Sequence, residues 1–208
     1  MAKQIEGVYE RVLECAKEEF LLNGYKDASL RTIAKNAGTS TGSIYTRFGD
    51  KQGLFKAIVE PVVQEMRSRF VQVQEDFHEM DEEQQMADMK SYSAEGMRGI
   101  VIFMYEHFDE FYLLLDASYG TEFQNFVDEM VDIEVSYTYK YMETIGCESV
   151  KSGLVTEDFI HIVTTAYFNG VFEIIRHKMD MDAALRYVDM LGKYHIAGFD
   201  TIFSPEKY

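Results

Sequence analysis

A run of small and hydroxylated side chains lies near the start of this sequence, and its composition is typical of a surface that binds another molecule. The run contains Thr39, Ser40, Thr41, Gly42, Ser43 and Thr46. Its large apolar residues are few, so a short helix here would be anchored on one side and slim on the other. Such a helix suits the major groove of DNA, because small residues let the backbone approach and hydroxyls reach phosphates or base edges. Arg47 adds a positive charge beside them.

Helix signals before and after this run predict the elements that position it. Ser29 is a favourable N-cap, and apolar residues follow it at helical spacing over the next two turns. Gly38 supplies the open backbone of a tight turn, after which Ser40 or Thr39 caps a second short helix. Together these signals predict a helix-turn-helix.

Two longer helices complete the predicted unit. An amphipathic helix over residues 5–22, ended by Asn23-Gly24, would brace the two short helices. Asp50 caps a further helix that continues past Pro61, where we expect a kink or a break. We therefore predict a DNA-binding domain over residues 1–55 and a helical effector-binding and dimerisation domain over residues 56–208.

Residues 28–55 closely resemble the N-terminal domain of the tetracycline-repressor (TetR) family of bacterial transcription regulators. The matching residues are Thr32, Ile33, Ala34, Ala37, Gly38, Ser40, Thr41, Gly42, Ser43, Ile44, Tyr45, Phe48, Lys51, Leu54 and Phe55. This resemblance implies that residues 40–45 form the recognition helix. It also implies that Ser29, Tyr45 and Lys51 contact phosphates. Gly53 departs from the family pattern, which usually has a helix former there, and this departure predicts a looser start to the helix that follows.

The distribution of charge agrees with a nucleic-acid interface near the N-terminus. The net charge is −16, but residues 1–55 hold eight basic side chains against seven acidic ones. Residues 56–208 hold twelve basic side chains against twenty-nine acidic ones. An acidic body would repel the duplex and keep non-specific binding weak, and it also favours solubility.

The rest of the chain predicts an all-α fold. Amphipathic patterns indicate helices over residues 86–107, 108–119, 122–145, 157–178 and 181–203. No apolar run resembles a signal peptide or a bilayer-spanning helix. Cys15 and Cys147 lie far apart and form no Cys-x-x-Cys motif. We therefore expect a cytoplasmic protein that has no membrane contact, metal site or cofactor.

The predicted helix over residues 122–145 carries the clearest sign of a ligand pocket. Glu134 falls near the centre of its apolar stripe, where a carboxylate is costly unless it is paired. A carboxylate in such a position commonly bonds a tyrosine hydroxyl, pairs with an arginine or lies at a solvated helix edge. The functional explanation is that Glu134 provides the counter-charge for a cationic ligand. The candidate ligand-binding residues are Phe103, Phe111, Tyr112, Glu134, Tyr137, Tyr141, His161, Thr165, Phe168, Asn169 and Phe172. Aromatic bodies with polar tips suit a small apolar or amphiphilic effector, although ordinary core packing uses the same residues.

The last helix is apolar enough to predict that two subunits pair through it. The candidate interface residues are Ala166, Gly170, Leu185, Val188, Leu191, His195, Phe199 and Ile202. The family resemblance implies the same arrangement, because the last two helices of its members usually form a four-helix dimer interface. We therefore expect a homodimer that binds an approximately palindromic operator in double-stranded DNA.

These features favour a DNA-binding transcription regulator, expected to be a repressor that a small effector releases from its operator. A regulator without a small-molecule effector is the alternative. A helical-bundle metal enzyme is a further alternative, because Glu75-x-x-His78 and Asp158-x-x-His161 have the spacing used in di-metal bundles. Such pairs arise by chance in a sequence this acidic, and no bridging glutamates are evident. We therefore expect no enzymatic activity.

Overall fold

A computed structural model describes residues 2–203 of the chain. Within this range the chain forms helices and no strand, which confirms the predicted all-α class. The helices are α1 (Ala2–Asp27), α2 (Leu30–Asn36), α3 (Thr41–Phe48), α4 (Lys51–His78), α5 (Glu82–Glu106), α6 (Phe108–Asp116), α7 (Phe126–Thr144), α8 (Glu148–Lys151), α9 (Glu157–Arg176) and α10 (Met181–Phe203). Over these residues, no helix combines the length and the apolar character that crossing a bilayer requires.

Local sequence signals account for the helix ends in the N-terminal part. Gly24 has a φ of 69°, which side-chain-bearing residues rarely adopt, and it interrupts the helical backbone of α1 where the sequence predicts an end. The Ser29 hydroxyl accepts a backbone N–H in the first turn of α2, and the Ser40 hydroxyl does the same in α3. Of the two predicted caps for α3, the structure uses Ser40 rather than Thr39.

The first of two compact units comprises the chain up to Glu65 together with His107–Phe126. Its core includes the buried side chains of Ala16, Phe20, Ile33, Ala34, Ile44, Leu54, Phe55, Val59 and Leu113. α6 belongs to this unit, since Leu113 lies in the core and Lys17 Nζ is 3.0 Å from Glu110 Oε1. The helix-turn-helix therefore shares one core with α1, the first half of α4, and α6.

The second compact unit comprises Met66–Glu106 and the chain from Val127 onwards. Much of its core comes from one side of α9, namely Ile160, Thr164, Phe168, Val171, Phe172, Ile174 and Ile175. α10 packs against both α9 and α5. The Tyr105 hydroxyl on α5 donates to the Met179 carbonyl at 2.8 Å, which ties α5 to the turn that precedes α10.

α4 continues through Pro61, and it contains residues of both units. A kink or a break was expected at this proline, and the helix does not break there. Because proline has no N–H, α4 lacks one backbone hydrogen bond in the turn that precedes Pro61.

Gly53 lies in the first turn of α4, next to the residue that caps the helix. The Gly53 N–H donates to Asp50 Oδ1 at 2.8 Å, as the predicted cap requires. A Cβ atom at this position would overlap the carbonyl oxygen of Phe48. The departure from the family pattern at Gly53 therefore has a steric reason, because the turn between α3 and α4 closes against the backbone of this residue.

We expect Gly53→Ala to destabilise the protein by about 1 to 3 kcal/mol, because the backbone must move to remove the overlap. Helix propensity alone predicts the opposite sign, since alanine in a helix interior is favoured by about 1 kcal/mol. Gly99→Ala in α5 is the matched control, because an added Cβ there meets nothing within 4 Å. Urea unfolding of both variants distinguishes the two effects, and a stabilised Gly53→Ala would contradict the steric explanation.

Candidate nucleic-acid interface and ligand cavity

α3 presents most of its side chains to solvent. Ile44 is 1 % exposed and anchors the helix in the core of the first unit, whereas Tyr45 is 53 % exposed. The other exposed members of the predicted DNA-binding set are Ser40, Gly42, Ser43, Thr46 and Arg47, and the partly buried ones are Ser29, Thr39, Thr41 and Lys51. The structure therefore gathers most of the predicted residues on one short helix with an open face.

Several of these residues also have structural partners. Ser29 and Ser40 cap helices through their hydroxyls, and the Thr46 hydroxyl donates to the Gly42 carbonyl at 2.8 Å. The Arg47 guanidinium lies 5.0 Å from the centre of the Tyr9 ring. The hydroxyls best placed to meet a partner are therefore those that cap nothing, on Thr41 and Ser43.

Lys51, predicted to contact phosphate, lies close to the start of α2. Its ammonium donates to the carbonyl oxygens of Lys26, at 2.9 Å, and Ala28, at 3.2 Å. It also lies 4.9 Å from the centre of the Tyr25 ring. Lys51 thus stabilises the connection between α1 and α2, so its loss would affect folding as well as any contact with phosphate.

The second unit contains a partly open cavity of about 860 Å³ between α4, α5, α7, α9 and α10. This volume is within the range of pockets that hold drug-sized ligands. Its apolar lining residues are Phe70, Val73, Phe77, Met89, Met97, Ile100, Leu185, Val188, Ile196 and Phe199. Its polar lining includes the side chains of Gln74, His78, Glu134, Tyr137, Thr138, Tyr141, Thr164, Tyr167 and His195.

Of the predicted ligand-binding residues, Glu134, Tyr137 and Tyr141 line this cavity. Eight others do not: Phe103, Phe168 and Phe172 are buried in the second unit, Phe111 and Tyr112 belong to the first, and His161, Thr165 and Asn169 lie on the outer part of α9. These eight therefore lie outside this cavity, and only Glu134, Tyr137 and Tyr141 remain in the ligand site proposed below. A helix such as α9 has several faces with mixed aromatic and polar residues, and its sequence does not say which face meets a cavity.

Two walls of the cavity have no clear signal in the sequence. One is the polar part of α5 between Met89 and Arg98, which carries no aromatic stripe. The other is the apolar stripe of α10, in which four predicted pairing residues, Leu185, Val188, His195 and Phe199, line the cavity. Val188 is 5 % exposed in the single chain, so it has little surface left for a partner.

The other predicted pairing residues are divided between the inside and the outside of the subunit. Leu191 packs against α9, where a Cβ on Gly170 would lie 3.0 Å from its Cδ2 atom. The Ile202 carbonyl accepts a hydrogen bond from the Ser149 hydroxyl at 2.8 Å. Ala166 is exposed on α9. The large apolar residues that α9, α10 and the turn before α9 expose are Leu154, Phe159, Ile162, Met181, Met190 and Tyr194.

The partner of Glu134 is Gln74, whose side-chain Nε2 donates to Glu134 Oε2 at 2.6 Å. Neither the tyrosine nor the arginine considered from the sequence occupies this position. Burial raises the pKa of Glu134 to about 7, and the hydrogen bond from Gln74 opposes this shift only in part. The carboxyl group therefore changes its charge near neutral pH.

Two histidines lie in the wall of the same cavity. His78 Nδ1 is 2.8 Å from the Gln74 carbonyl oxygen, which can only accept, so Nδ1 donates. His78 Nε2 is buried and has no hydrogen-bond partner among residues 2–203. His195 stacks on Tyr167 with ring centres 4.2 Å apart, and burial lowers the pKa of His195 to about 4, which keeps it neutral.

Metal chemistry finds no support in the described part of the chain. There, no three His, Cys, Asp or Glu side chains come together in a group that could hold a metal ion. His161, from one of the two metal-like motifs, lies 3.6 Å from Asp132 on the exposed side of α9.

Comparison with known proteins identifies the N-terminal part. Residues 12–58 match the sequence model of the family described as bacterial regulatory proteins, tetR family. This range runs from the middle of α1 to the first part of α4 and includes the whole helix-turn-helix. The N-terminal domain of the chain therefore belongs to the tetR family, which confirms the resemblance found in the sequence.

Individual relatives match over part of their length. UidR of Escherichia coli (strain K12), an HTH-type transcriptional regulator, is 28 % identical over 102 residues, which are 49 % of this chain and 52 % of that protein. AcnR of Corynebacterium glutamicum, an HTH-type transcriptional repressor, is 39 % identical over 49 residues, or 24 % of this chain and 26 % of that protein. The chain thus spans about half or less of the length of these relatives.

One solved structure extends the comparison to the second unit. The crystal structure of NalD, the secondary repressor of the MexAB-OprM multidrug efflux pump in Pseudomonas aeruginosa, has a TM-score of 0.56 to this chain. The comparison covers 92 % of this chain and 96 % of NalD at 17 % identity. At this identity the likeness shows a shared fold.

We expect the protonation of Glu134 to make folding stability depend on pH. Because its pKa is higher in the folded state than the ordinary 4.5, the folded state binds more protons between about pH 4.5 and pH 7, so stability falls as pH rises through this window. Glu134→Gln removes the titrating carboxyl group and with it this contribution to the pH dependence of stability. Between about pH 5 and pH 8, wild type is expected to lose on the order of 2 kcal/mol more than this variant.

Urea unfolding at the two pH values measures this difference. Glu95→Gln, which removes an exposed carboxylate at the edge of the cavity, is the control and is expected to keep the wild-type pH dependence. Equal pH dependence in wild type and Glu134→Gln would show that this carboxyl group has an ordinary pKa.

Proposed function

We propose that this chain is a homodimeric transcription regulator that binds DNA through α3 and responds to a small molecule in the cavity of its second unit. The observation that carries the proposal is the open face of α3 within a tetR-family domain: one buried anchor, Ile44, and small or hydroxylated side chains toward solvent. The family consists of bacterial regulatory proteins. Membership of this domain in it favours a regulatory function over a catalytic one.

The exposed residues of α3 are of two kinds, which suit contacts with base edges and contacts with phosphates. Thr41 and Ser43 have the short hydroxyls that reach base edges, whereas Tyr45 and Arg47 are long enough to reach phosphates beside the groove. Ser29 and Lys51 stand at the start of α2, where a phosphate would also meet backbone N–H groups. Two copies of α3, about 34 Å or somewhat more apart, would read the two halves of a palindromic operator.

The exposed side of α9 and α10 supports pairing of two subunits. Ile162 and Met190 are each 66 % exposed, and Tyr194 is 79 % exposed. Residues 190, 194 and 197 recur at helical spacing along α10, as residues 159, 162 and 166 do along α9. Apolar surface concentrated in this way is typical of a protein interface. We therefore move the proposed interface from the stripe that contains Leu185 and Val188 to this opposite face.

The cavity supports an effector that shifts the protein between two states. Its lining combines aromatic and aliphatic side chains with several polar ones, which suits a compact molecule that has an apolar body and a polar group. Such a molecule changes operator affinity only by as much as its own affinity differs between the DNA-binding state and the other state. AcnR and NalD are both repressors, which favours repression, with release by the effector, as the direction of control.

Selection of bound duplexes from a random pool tests DNA binding, and the selected operator then serves for measurements on variants. We expect Tyr45→Ala to weaken binding to all sequences, because it removes a phosphate contact, and Arg47→Gln to lower the slope of log affinity against log salt by about 1. Tyr119→Ala is the control, because Tyr119 is an exposed tyrosine of the same unit outside α3. Failure to enrich any duplex would refute the proposed function.

Met190→Arg tests the proposed subunit interface. In the single chain this side chain is exposed, so the variant folds, but in a dimer the arginine would be buried without a partner, at a cost of several kcal/mol. We expect light scattering to show a monomer. Met86→Arg, at a methionine of α5 that is 60 % exposed, is the matched control and is expected to remain dimeric. A dimeric Met190→Arg would place the interface elsewhere.

A further inference from the structure

We propose that the cavity of the second unit selects a protonated amine carried on an apolar, ring-sized body, with the ammonium group placed against Glu134. This inference rests on the proposed effector cavity and names the chemical class of its ligand. It depends on three features of the lining: an available carboxylate, the absence of an internal cation beside it, and an aromatic surround.

Glu134 has hydrogen-bonding capacity left for a ligand. A carboxylate offers about four acceptor positions on its two oxygens. Within residues 2–203, the recorded hydrogen bond to Glu134 is the one from Gln74 to Oε2. The Gln74 side chain is neutral, so it orients the carboxylate without neutralising it. An ammonium group would add the charge-assisted hydrogen bond that the site lacks.

The two lysines in the cavity lining are paired with acidic side chains. The Lys90 ammonium pairs with Asp200, and the Lys193 ammonium lies 2.7 Å from Asp189 Oδ2. Arg98 is on the exposed side of α5. His195, the histidine that α10 contributes, is kept neutral by burial. Within residues 2–203, Glu134 forms no salt bridge with a lysine, arginine or histidine, so a ligand ammonium would not have to displace an internal cation from this carboxylate.

The side chains near Glu134 favour a cation over a neutral or anionic group. Tyr137 and Tyr141 lie one and two turns along α7, and Tyr167 on α9 lines the same cavity, where burial and, to a lesser extent, the charge of Glu134 raise its pKa. The faces of such rings attract cations, most strongly where water is excluded. Phe70 and Phe77 supply the apolar wall against which an uncharged body can pack. An anionic ligand would instead be repelled by the carboxylate.

Three naphthalene probes that differ in one group test this inference: 2-(1-naphthyl)ethylamine, 2-(1-naphthyl)ethanol and 1-naphthylacetate. Naphthalene fluorescence reports their binding directly, because the chain has no tryptophan. At about pH 8.5, where Glu134 is ionised, we expect wild type to bind the amine at least about tenfold more tightly than the alcohol, and the acetate most weakly.

Glu134→Gln assigns the selectivity to this residue. Its amide keeps the shape of the side chain, so we expect the alcohol to bind as in wild type and the preference for the amine to disappear. Glu95→Gln removes a carboxylate from the edge of the same cavity and is expected to keep the preference. Circular dichroism checks that both variants are folded, and the comparison of the three probes on wild type needs no variant.

The inference is overturned if wild type binds the alcohol or the acetate as tightly as the amine, or binds none of the three. It is also overturned if folded Glu134→Gln keeps the preference for the amine. These measurements contain no DNA, so they are independent of operator binding. Amine-selective binding that leaves operator affinity unchanged would remove the effector role from the proposed function while the ligand class stands.

Discussion

Ile44 is the one residue that α3 buries completely, and this burial fixes which side of the helix meets solvent. The helix has eight residues, so a single well-packed anchor, supported by the Ser40 cap, determines its orientation. Everything proposed for DNA recognition follows from that constraint. Thr41, Ser43 and Tyr45 are available because the core-facing side of α3 consists of Ile44 and, in part, Phe48.

In the longer helices too, the buried side chains fix which face meets solvent, and each apolar face packs against a different partner. α10 turns Leu185, Val188 and Phe199 toward the cavity and leaves Met190 and Tyr194 outside. One helix therefore provides both a cavity wall and a candidate interface. A ligand that moves the inner face would also move the outer one, which gives a physical route from effector to subunit pairing.

The cavity keeps a carboxyl group in a place where ionisation is costly. Glu134 is retained beside the neutral Gln74, and burial holds its pKa near 7. Ionisation of Glu134 in these surroundings costs stability, and a bound cation would offset that cost. The buried, unpartnered Nε2 of His78 close by is a second polar group that packing alone does not explain.

The sequence alone determined the all-α class, the helix-turn-helix and the caps Ser29, Ser40 and Asp50, because these depend on residues within a turn or two of each other. It did not predict the short helix α8 or the starts of α5 and α7. Long-range packing decided the rest. Only the tertiary structure placed α6 in the first unit, turned the stripe of α10 inward, gave Glu134 a glutamine partner from α4, and explained Gly53 by the Phe48 carbonyl. An amphipathic pattern shows that a helix has a face to bury, but the partner of that face is set by residues distant in the sequence.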